Sequence, residues 1–152
     1  NANHGRRQQL RILGKQVGRA LYDAPRRAYQ EGSVVVIVAT DAPLDARQLN
    51  RLSRRAMLGV ERTGAVSTHG SGDVAIAFST ANRIPHRSVD LTYAMNLLAD
   101  SHANPLFAAV ADAAEEAMIN AMLAAQTLTG RDGHTAYALP HDELARLLGL
   151  GE

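Results

Sequence analysis

One run of β-branched residues constrains the fold of this chain more than any other feature. Residues Ser33 to Thr40 read Ser-Val-Val-Val-Ile-Val-Ala-Thr, without the alternation of polar and apolar residues expected of a half-exposed strand. An unbroken run of this kind is typical of a strand that is buried on both faces. The sequence therefore predicts a central strand between covering layers, within the single domain that 152 residues suggest.

The aromatic content indicates how those layers pack. The chain has no Trp, and its only Phe residues are Phe78 and Phe107, whereas Ala, Val, Leu and Ile are abundant. Large aromatic side chains therefore contribute little to the core. We expect stacked sheet and helix layers whose backbones approach each other closely.

Local patterns predict the remaining elements in the order β, β, α, β, α, α. Asp45 and Gln48 have the spacing of a capping box at the start of a helix. Asn104, followed by Pro105, is predicted to cap a second helix. The predicted elements are a hairpin over residues 10–17 that turns at Gly14-Lys15, a helix from Asp45 to about Val60, a strand at 73–80, a helix at 104–128 and a short helix at 142–148.

Composition disfavours several classes of function. The net charge is only +1, and Arg54-Arg55 lacks interleaved aromatic residues, so we expect no nucleic-acid partner. The chain has no Cys, and its His residues lack metal-site spacing, so we expect no metal. Its apolar runs are shorter than the roughly 20 residues of a membrane-spanning helix. The prediction is a soluble protein without a membrane partner, and the cytoplasm and periplasm both remain open.

Ser33 has a chemical possibility that follows from its position. It begins the predicted strand, directly after Gly32 and a polar segment, residues 23–32, that we interpret as an exposed linker. Attack of its hydroxyl on the Gly32 carbonyl, followed by hydrolysis, would leave a free α-amine beside the same hydroxyl, as in N-terminal nucleophiles. A Gly before a strand is more often a simple turn. The residues alone leave both interpretations open.

A family resemblance favours the nucleophile. The run from Gly32 to Leu44, Gly-Ser-Val-Val-Val-Ile-Val-Ala-Thr-Asp-Ala-Pro-Leu, resembles the processing site of the self-processing β-aminopeptidase and D-aminopeptidase family. Further blocks resemble the family in the same order along nearly the whole chain. They are Gln48-Leu49, Arg51-Leu52, Arg54-Arg55-Ala56, Gly59, Arg62-Thr63-Gly64, Gly70-Ser71-Gly72-Asp73, Ile76-Ala77-Phe78-Ser79-Thr80, Glu115-Glu116-Ala117 and the segment from Thr129 to His134.

This resemblance implies an α+β fold, specifically the αββα sandwich of N-terminal-nucleophile hydrolases, of which the chain supplies one part. Residues 1–32 would be the tail of a large N-terminal subunit, and residues 33–152 the small catalytic subunit. Because the chain starts without Met, we expect upstream sequence to be missing. The missing large subunit is then the principal partner, and we also expect a homo-oligomer.

The resemblance also implies roles for individual side chains. Ser33 is the nucleophile of the Gly32-Ser33 processing site, and Ser71 and Asp73 resemble the Ser-Gly-acidic pair that assists its proton transfer. Some relatives have Glu where this chain has the shorter Asp73. Asn3 resembles the oxyanion-stabilising Asn, although Asn1 lies close enough in sequence to compete for that role. Relatives usually have an aromatic residue in place of His4.

The expected function is a serine aminopeptidase that removes N-terminal residues from short peptides, amides or esters without a cofactor. One alternative is an acyltransferase that resembles ornithine acetyltransferases, although those use Thr as the nucleophile. Another is a non-catalytic assembly subunit. The preference for L, D or β-amino residues stays open, because we expect the substrate pocket to depend on residues upstream of residue 1.

Overall fold

A computed structural model describes residues 2–21 and 32–150. The helices are α1 (Ala46–Arg62), α2 (Asn104–Ala124) and α3 (His141–Leu148). The strands are β1 (Ala2–Asn3), β2 (Arg11–Ile12), β3 (Lys15–Gln16), β4 (Ser33–Thr40), β5 (Val74–Ser79), β6 (Leu128–Thr129) and β7 (Thr135–Ala136). All the predicted elements are present, and β1, β6 and β7 are additional. Of the predicted linker at 23–32, only Gly32 lies within the described residues.

The main sheet has three strands in the order β1-β4-β5. Strand β4 pairs parallel with β5, from Val35 opposite Val74 to Thr40 opposite Ser79. Strand β1 pairs antiparallel with the start of β4, with Asn3 opposite Ser33. The first residue of β4 therefore lies between β1 and the loop that leads into β5.

Helix α1 connects the two parallel strands and begins where the capping box predicts. Asp45 accepts the backbone N–H of Gln48, and the Gln48 side chain accepts the backbone N–H of Asp45. One face of the helix is apolar and faces the core, where Leu52, Ala56 and Val60 are buried. The helix ends at Arg62, two residues beyond the predicted end.

Helix α2 packs closely on α1, and small residues make this possible. A Cβ atom on Gly59 of α1 would lie 2.0 Å from the carbonyl oxygen of Ala111 in α2, so no larger residue fits without moving a helix. The core between the helices and the sheet includes Leu44, Leu52 and Val110. The prediction that close backbone approach replaces aromatic packing is confirmed at this contact.

Only one face of the sheet is covered within the described residues. The opposite face exposes a row of large apolar side chains at 42% to 67% of their surface: Val35, Ile37, Val74, Ile76 and Phe78. The prediction that Ser33 to Thr40 is buried on both faces is therefore wrong for this chain, because its residues are alternately covered and exposed. The described part of the chain supplies one sheet layer and one helix layer.

Two predicted boundaries shift for local reasons. Helix α2 is capped by Ala103 without a side-chain hydrogen bond, so the predicted cap at Asn104 is wrong. The helix ends at Ala124 instead of residue 128, because Ala125 is extended and Leu128 begins a second hairpin. Arg131–Gly133 forms the 3-10 turn between β6 and β7 and does not end a helix.

The first hairpin turns one residue earlier than predicted. Ile12 pairs with Lys15, which places Leu13 and Gly14 at the turn, both with positive φ. Two central residues of this kind give the twist that short hairpins favour. Gly14 was correctly placed in the turn, but Lys15 belongs to the strand.

Candidate active site

Ser33 lies at the junction of β1, β4 and the loop before β5. Its Oγ accepts a hydrogen bond of 3.2 Å from the backbone N–H of Gly72. That loop reaches Ser33 because Val74, two residues after Gly72, pairs with Val35 in the parallel register. A backbone N–H aimed at a serine oxygen stabilises negative charge that develops on the oxygen.

Gly32 occupies a place that no residue with a side chain could share. A Cβ atom there would lie 2.0 Å from the backbone carbonyl oxygen of Asn3 and 3.0 Å from the Cα of His4. The close pairing of β1 with the start of β4 therefore requires Gly at this position. The same contact fixes the Gly32 carbonyl beside the nucleophile candidate.

Ser71 connects Gly32 to Asp73. Its Oγ lies 2.9 Å from the carbonyl oxygen of Gly32 and 2.7 Å from Oδ1 of Asp73. Both partners are acceptors, and a serine hydroxyl carries one hydrogen. Ser71 can therefore donate to the Gly32 carbonyl or to the carboxylate, but not to both at once.

Asp73 is a mostly buried carboxylate with several donors around it. Oδ1 also receives the backbone N–H of Val34 at 3.3 Å and lies 3.5 Å from Nδ1 of His4. Burial acts to raise the pKa of Asp73, but hydrogen bonds from Ser67 and Ser71, the charge of His4 and the Val34 N–H outweigh it and lower the pKa. The carboxyl group therefore favours its ionised form.

Asn3 is placed at the site by its strand pairing. As the cross-strand partner of Ser33, it projects its side chain to the same side of the sheet. The residue is exposed. The structure thus brings four predicted residues, Ser33, Ser71, Asp73 and Asn3, to one place, whereas the competing Asn1 lies outside the described residues.

Sequence reasoning missed two members of this cluster. His4 was considered only as a departure from an aromatic residue, yet its buried side chain contacts Asp73. Gly72 enters the sequence argument only as part of the block Gly70-Ser71-Gly72-Asp73, yet its backbone N–H donates to Ser33 Oγ. No sequence pattern links His4 with Asp73, because the contact depends on the pairing of β1 with β4.

A small pocket lies beside this cluster of side chains. It is lined by Gly32, Ser71 and the residues His4, Gly5, Arg6, Gln9, Val66 and Thr68.

Other charged candidates have structural roles. Glu115 bonds Arg62 on the surface between α1 and α2. Arg54 is exposed, whereas the guanidinium of Arg55 stacks 3.7 Å from the centre of the Phe107 ring.

Residues 2–21 and 32–150 contain neither a cluster of metal-ligating side chains nor a membrane-spanning helix. No three His, Cys, Asp or Glu side chains converge there as a metal site requires. None of the three helices in this part of the chain has the length and apolar character needed to span a membrane.

The chain is similar to known peptidases along most of its length. The model of Peptidase family S58 matches residues 1–136. A beta-peptidyl aminopeptidase, BapA, from Sphingosinicella xenopeptidilytica is 38% identical over 161 aligned positions, which cover 97% of this chain and 40% of that protein. The chain thus spans about two fifths of the length of this relative.

Solved structures are similar to nearly the whole of this chain, which again matches only part of each of them. The PH0078 protein from Pyrococcus horikoshii OT3 is 49% identical, with a TM-score of 0.88 over 97% of this chain and 40% of that one. The L-aminopeptidase D-Ala-esterase/amidase from Ochrobactrum anthropi, described as a variant of the Ntn hydrolase fold, is 36% identical, with a TM-score of 0.84 over 97% of this chain and 41% of its own. The α+β architecture predicted from the sequence is confirmed as part of this fold.

Proposed function

The chain belongs to peptidase family S58, and on that premise we propose that it is the nucleophile-bearing part of a self-processing serine aminopeptidase. One observation carries the proposal. The Ser33 hydroxyl directly follows a Gly32 carbonyl that is itself within hydrogen-bond distance of Ser71. A nucleophile, a candidate scissile bond and a polarising donor therefore occupy one site.

The proposed self-cleavage begins with attack of Ser33 Oγ on the carbonyl carbon of Gly32. The C–N bond to Ser33 breaks, the hydroxyl proton passes to the leaving amine, and an ester joins Gly32 to Oγ. Water then hydrolyses the ester to a Gly32 carboxylate and a free Ser33. The Gly72 N–H stabilises charge on Oγ, and Ser71 polarises the carbonyl.

The proposed aminopeptidase reaction uses the amine that this cleavage releases. The Ser33 amine takes the proton from its own hydroxyl, Oγ attacks the substrate carbonyl, and the substrate's leaving amine departs with a proton. Water then hydrolyses the acyl-enzyme. Ser71 and Asp73 hold the proton-transfer network, while the Asn3 amide donates to the oxyanion, an interaction worth about 3 kcal/mol of barrier in comparable sites.

We propose that residues 1–32 end a larger N-terminal subunit and that residues 33–152 form the small subunit. The short span of this chain relative to its relatives supports this division. The uncovered apolar face of the sheet supports it too, because such a face requires a second layer. Short peptides, amides or esters are the proposed substrates. We also propose that several copies of the protein associate as a homo-oligomer.

The decisive experiment compares Ser33→Ala with Ser101→Ala, an exposed serine outside the site, in the complete natural polypeptide. Intact mass should show two fragments divided between residues 32 and 33 in the unaltered protein and in Ser101→Ala. Ser33→Ala should stay uncut and should release no N-terminal residue from peptide amides. Full activity in an uncut protein, or activity that survives Ser33→Ala, would refute the proposal.

Adding amine acceptors to the same assay separates hydrolysis from acyl transfer. A hydrolase releases free acid at nearly the same rate with or without the acceptor. An acyltransferase would need the amine for turnover, and a non-catalytic subunit would release no product in either case.

A further inference from the structure

The imidazole of His4 is buried and has one polar contact, which orients the ring. Its side chain is only 2% exposed, and Nδ1 lies 3.5 Å from Oδ1 of Asp73. Nε2 has no hydrogen-bond partner among the described residues. The contact with Asp73 is therefore what orients the ring within this part of the chain.

The chemistry of Asp73 determines where His4 holds its proton. An ionised carboxylate only accepts hydrogen bonds, so the nitrogen that faces it must carry hydrogen. Nδ1–H is thus directed at Oδ1 whether the imidazole is neutral or charged. At 3.5 Å the contact is long for a hydrogen bond, and its attraction is mainly electrostatic.

The His4 N–H is an additional donor to Asp73, beside Ser71 and the Val34 N–H, and it affects which acceptor the Ser71 hydroxyl bonds. Ser71 has one hydrogen for two acceptors, Asp73 Oδ1 at 2.7 Å and the Gly32 carbonyl oxygen at 2.9 Å. A carboxylate without other donors would hold that hydrogen strongly. Each additional donor on Oδ1 weakens this competition and frees the hydrogen for Gly32.

We propose that His4 is a positioning residue for self-cleavage, which acts by directing Nδ1–H at Asp73 so that the Ser71 hydroxyl is free to donate to the Gly32 carbonyl. This inference rests on the proposed function, because it concerns the bond between Gly32 and Ser33. His4 does not touch the reacting atoms. It acts through Asp73 and then through Ser71.

Three substitutions separate this role from simple packing. His4→Asn places an amide N–H close to the position of Nδ1, His4→Gln places one close to Nε2, and His4→Phe keeps the ring volume without a donor. If positioning matters, Asn preserves most of the cleavage rate, while Phe and Gln slow cleavage about tenfold or more. If His4 only fills space, Phe is the best replacement and Asn the worst.

The measurement follows the complete polypeptide during in vitro translation, with samples taken at intervals and the uncut and cut species quantified by mass. Each substitution is also made in a Ser33→Ala background, where melting temperatures compare the folding of uncut proteins. Rates that follow the melting temperatures would overturn the inference, as would Phe cleaving as fast as the unaltered protein. If the unaltered protein never separates at Gly32-Ser33, the proposed function itself fails.

Discussion

At the residue scale, Gly32 is constrained by the backbone of the neighbouring strand. A methyl group at this position would lie 2.0 Å from the Asn3 carbonyl oxygen, a separation at which one of the two segments must move. Movement here would displace the Gly32 carbonyl, the proposed site of cleavage, from Ser71. We therefore expect Gly32→Ala to slow the appearance of cut fragments by about tenfold or more, because misplacing reacting groups by even 1 Å is costly.

Gly130→Ala provides the matched control for this prediction. The nearest atom to a Cβ at Gly130 is the His134 carbonyl oxygen at 3.7 Å, which is an ordinary contact. The fragments of Gly130→Ala should appear as fast as those of the unaltered protein when both are followed by intact mass. Equal rates for the two Gly→Ala substitutions would show that the close approach at Gly32 does not matter for cleavage.

The sequence predicted the members of this cluster unevenly. Ser33 could be singled out from its place between a linker and a strand, but Ser71, Asp73 and Asn3 gained roles only from family resemblance. His4 could not be identified, because its role depends on one ring nitrogen facing Asp73 after β1 pairs with β4. Contacts between residues distant in sequence leave no local pattern to detect.

At the element scale, the start of α1 is tied to the segment before α2 by Asp100. Its carboxylate accepts hydrogen bonds from Arg47 and Gln48 and lies 3.3 Å from Arg51, all in α1. Hydrogen bonds from Arg47 and Gln48, with the charges of the two arginines, lower the pKa of Asp100 to about 2 despite some opposing desolvation. The contact therefore stabilises the folded state in its ionised form.

This pKa shift predicts how stability depends on pH. The folded-state pKa lies below the ordinary value of 3.8, so the stabilisation is fully present above about pH 4 and is lost as the pH falls toward about 2. Asp100→Asn should lower the unfolding midpoint in urea at neutral pH, and the difference should disappear near pH 2. Asp90→Asn, which removes an exposed loop carboxylate, should show no such dependence. A difference for Asp100→Asn that is constant with pH would contradict the electrostatic explanation.

Elements with strong local signals were predicted closely, and those defined by tertiary contacts were not. The capping box at Asp45 placed the start of α1 to the residue. Strand β1 is only two residues long, and its pairing with β4 could not be recognised from Ala2 and Asn3 alone. Helix α2 ends early because Ala125 turns the chain toward the β6 hairpin, although Ala-rich sequence continues to favour a helix.

At the scale of the whole molecule, the described residues leave one apolar face of the main sheet uncovered. Ile37 is 67% exposed in the middle of β4, and its parallel neighbour Ile76 is 54% exposed. If the upstream part of the polypeptide supplies the second sheet, this face becomes a core. Burying an Ile side chain contributes about 1.5–3 kcal/mol, and a buried unpaired carboxylate costs more still.

Replacing Ile37 with Asp in the complete polypeptide should therefore prevent the two layers from packing. We expect a large loss of folded protein and a fall in the melting temperature of any that remains. Leu13→Asp is the matched control, because Leu13 is 68% exposed but lies in a tight turn with φ of 51°, a conformation that Asp tolerates better than Leu. Equal melting temperatures for Ile37→Asp and Leu13→Asp would show that the β4 face stays open to water, and the proposed second layer would then have to lie elsewhere.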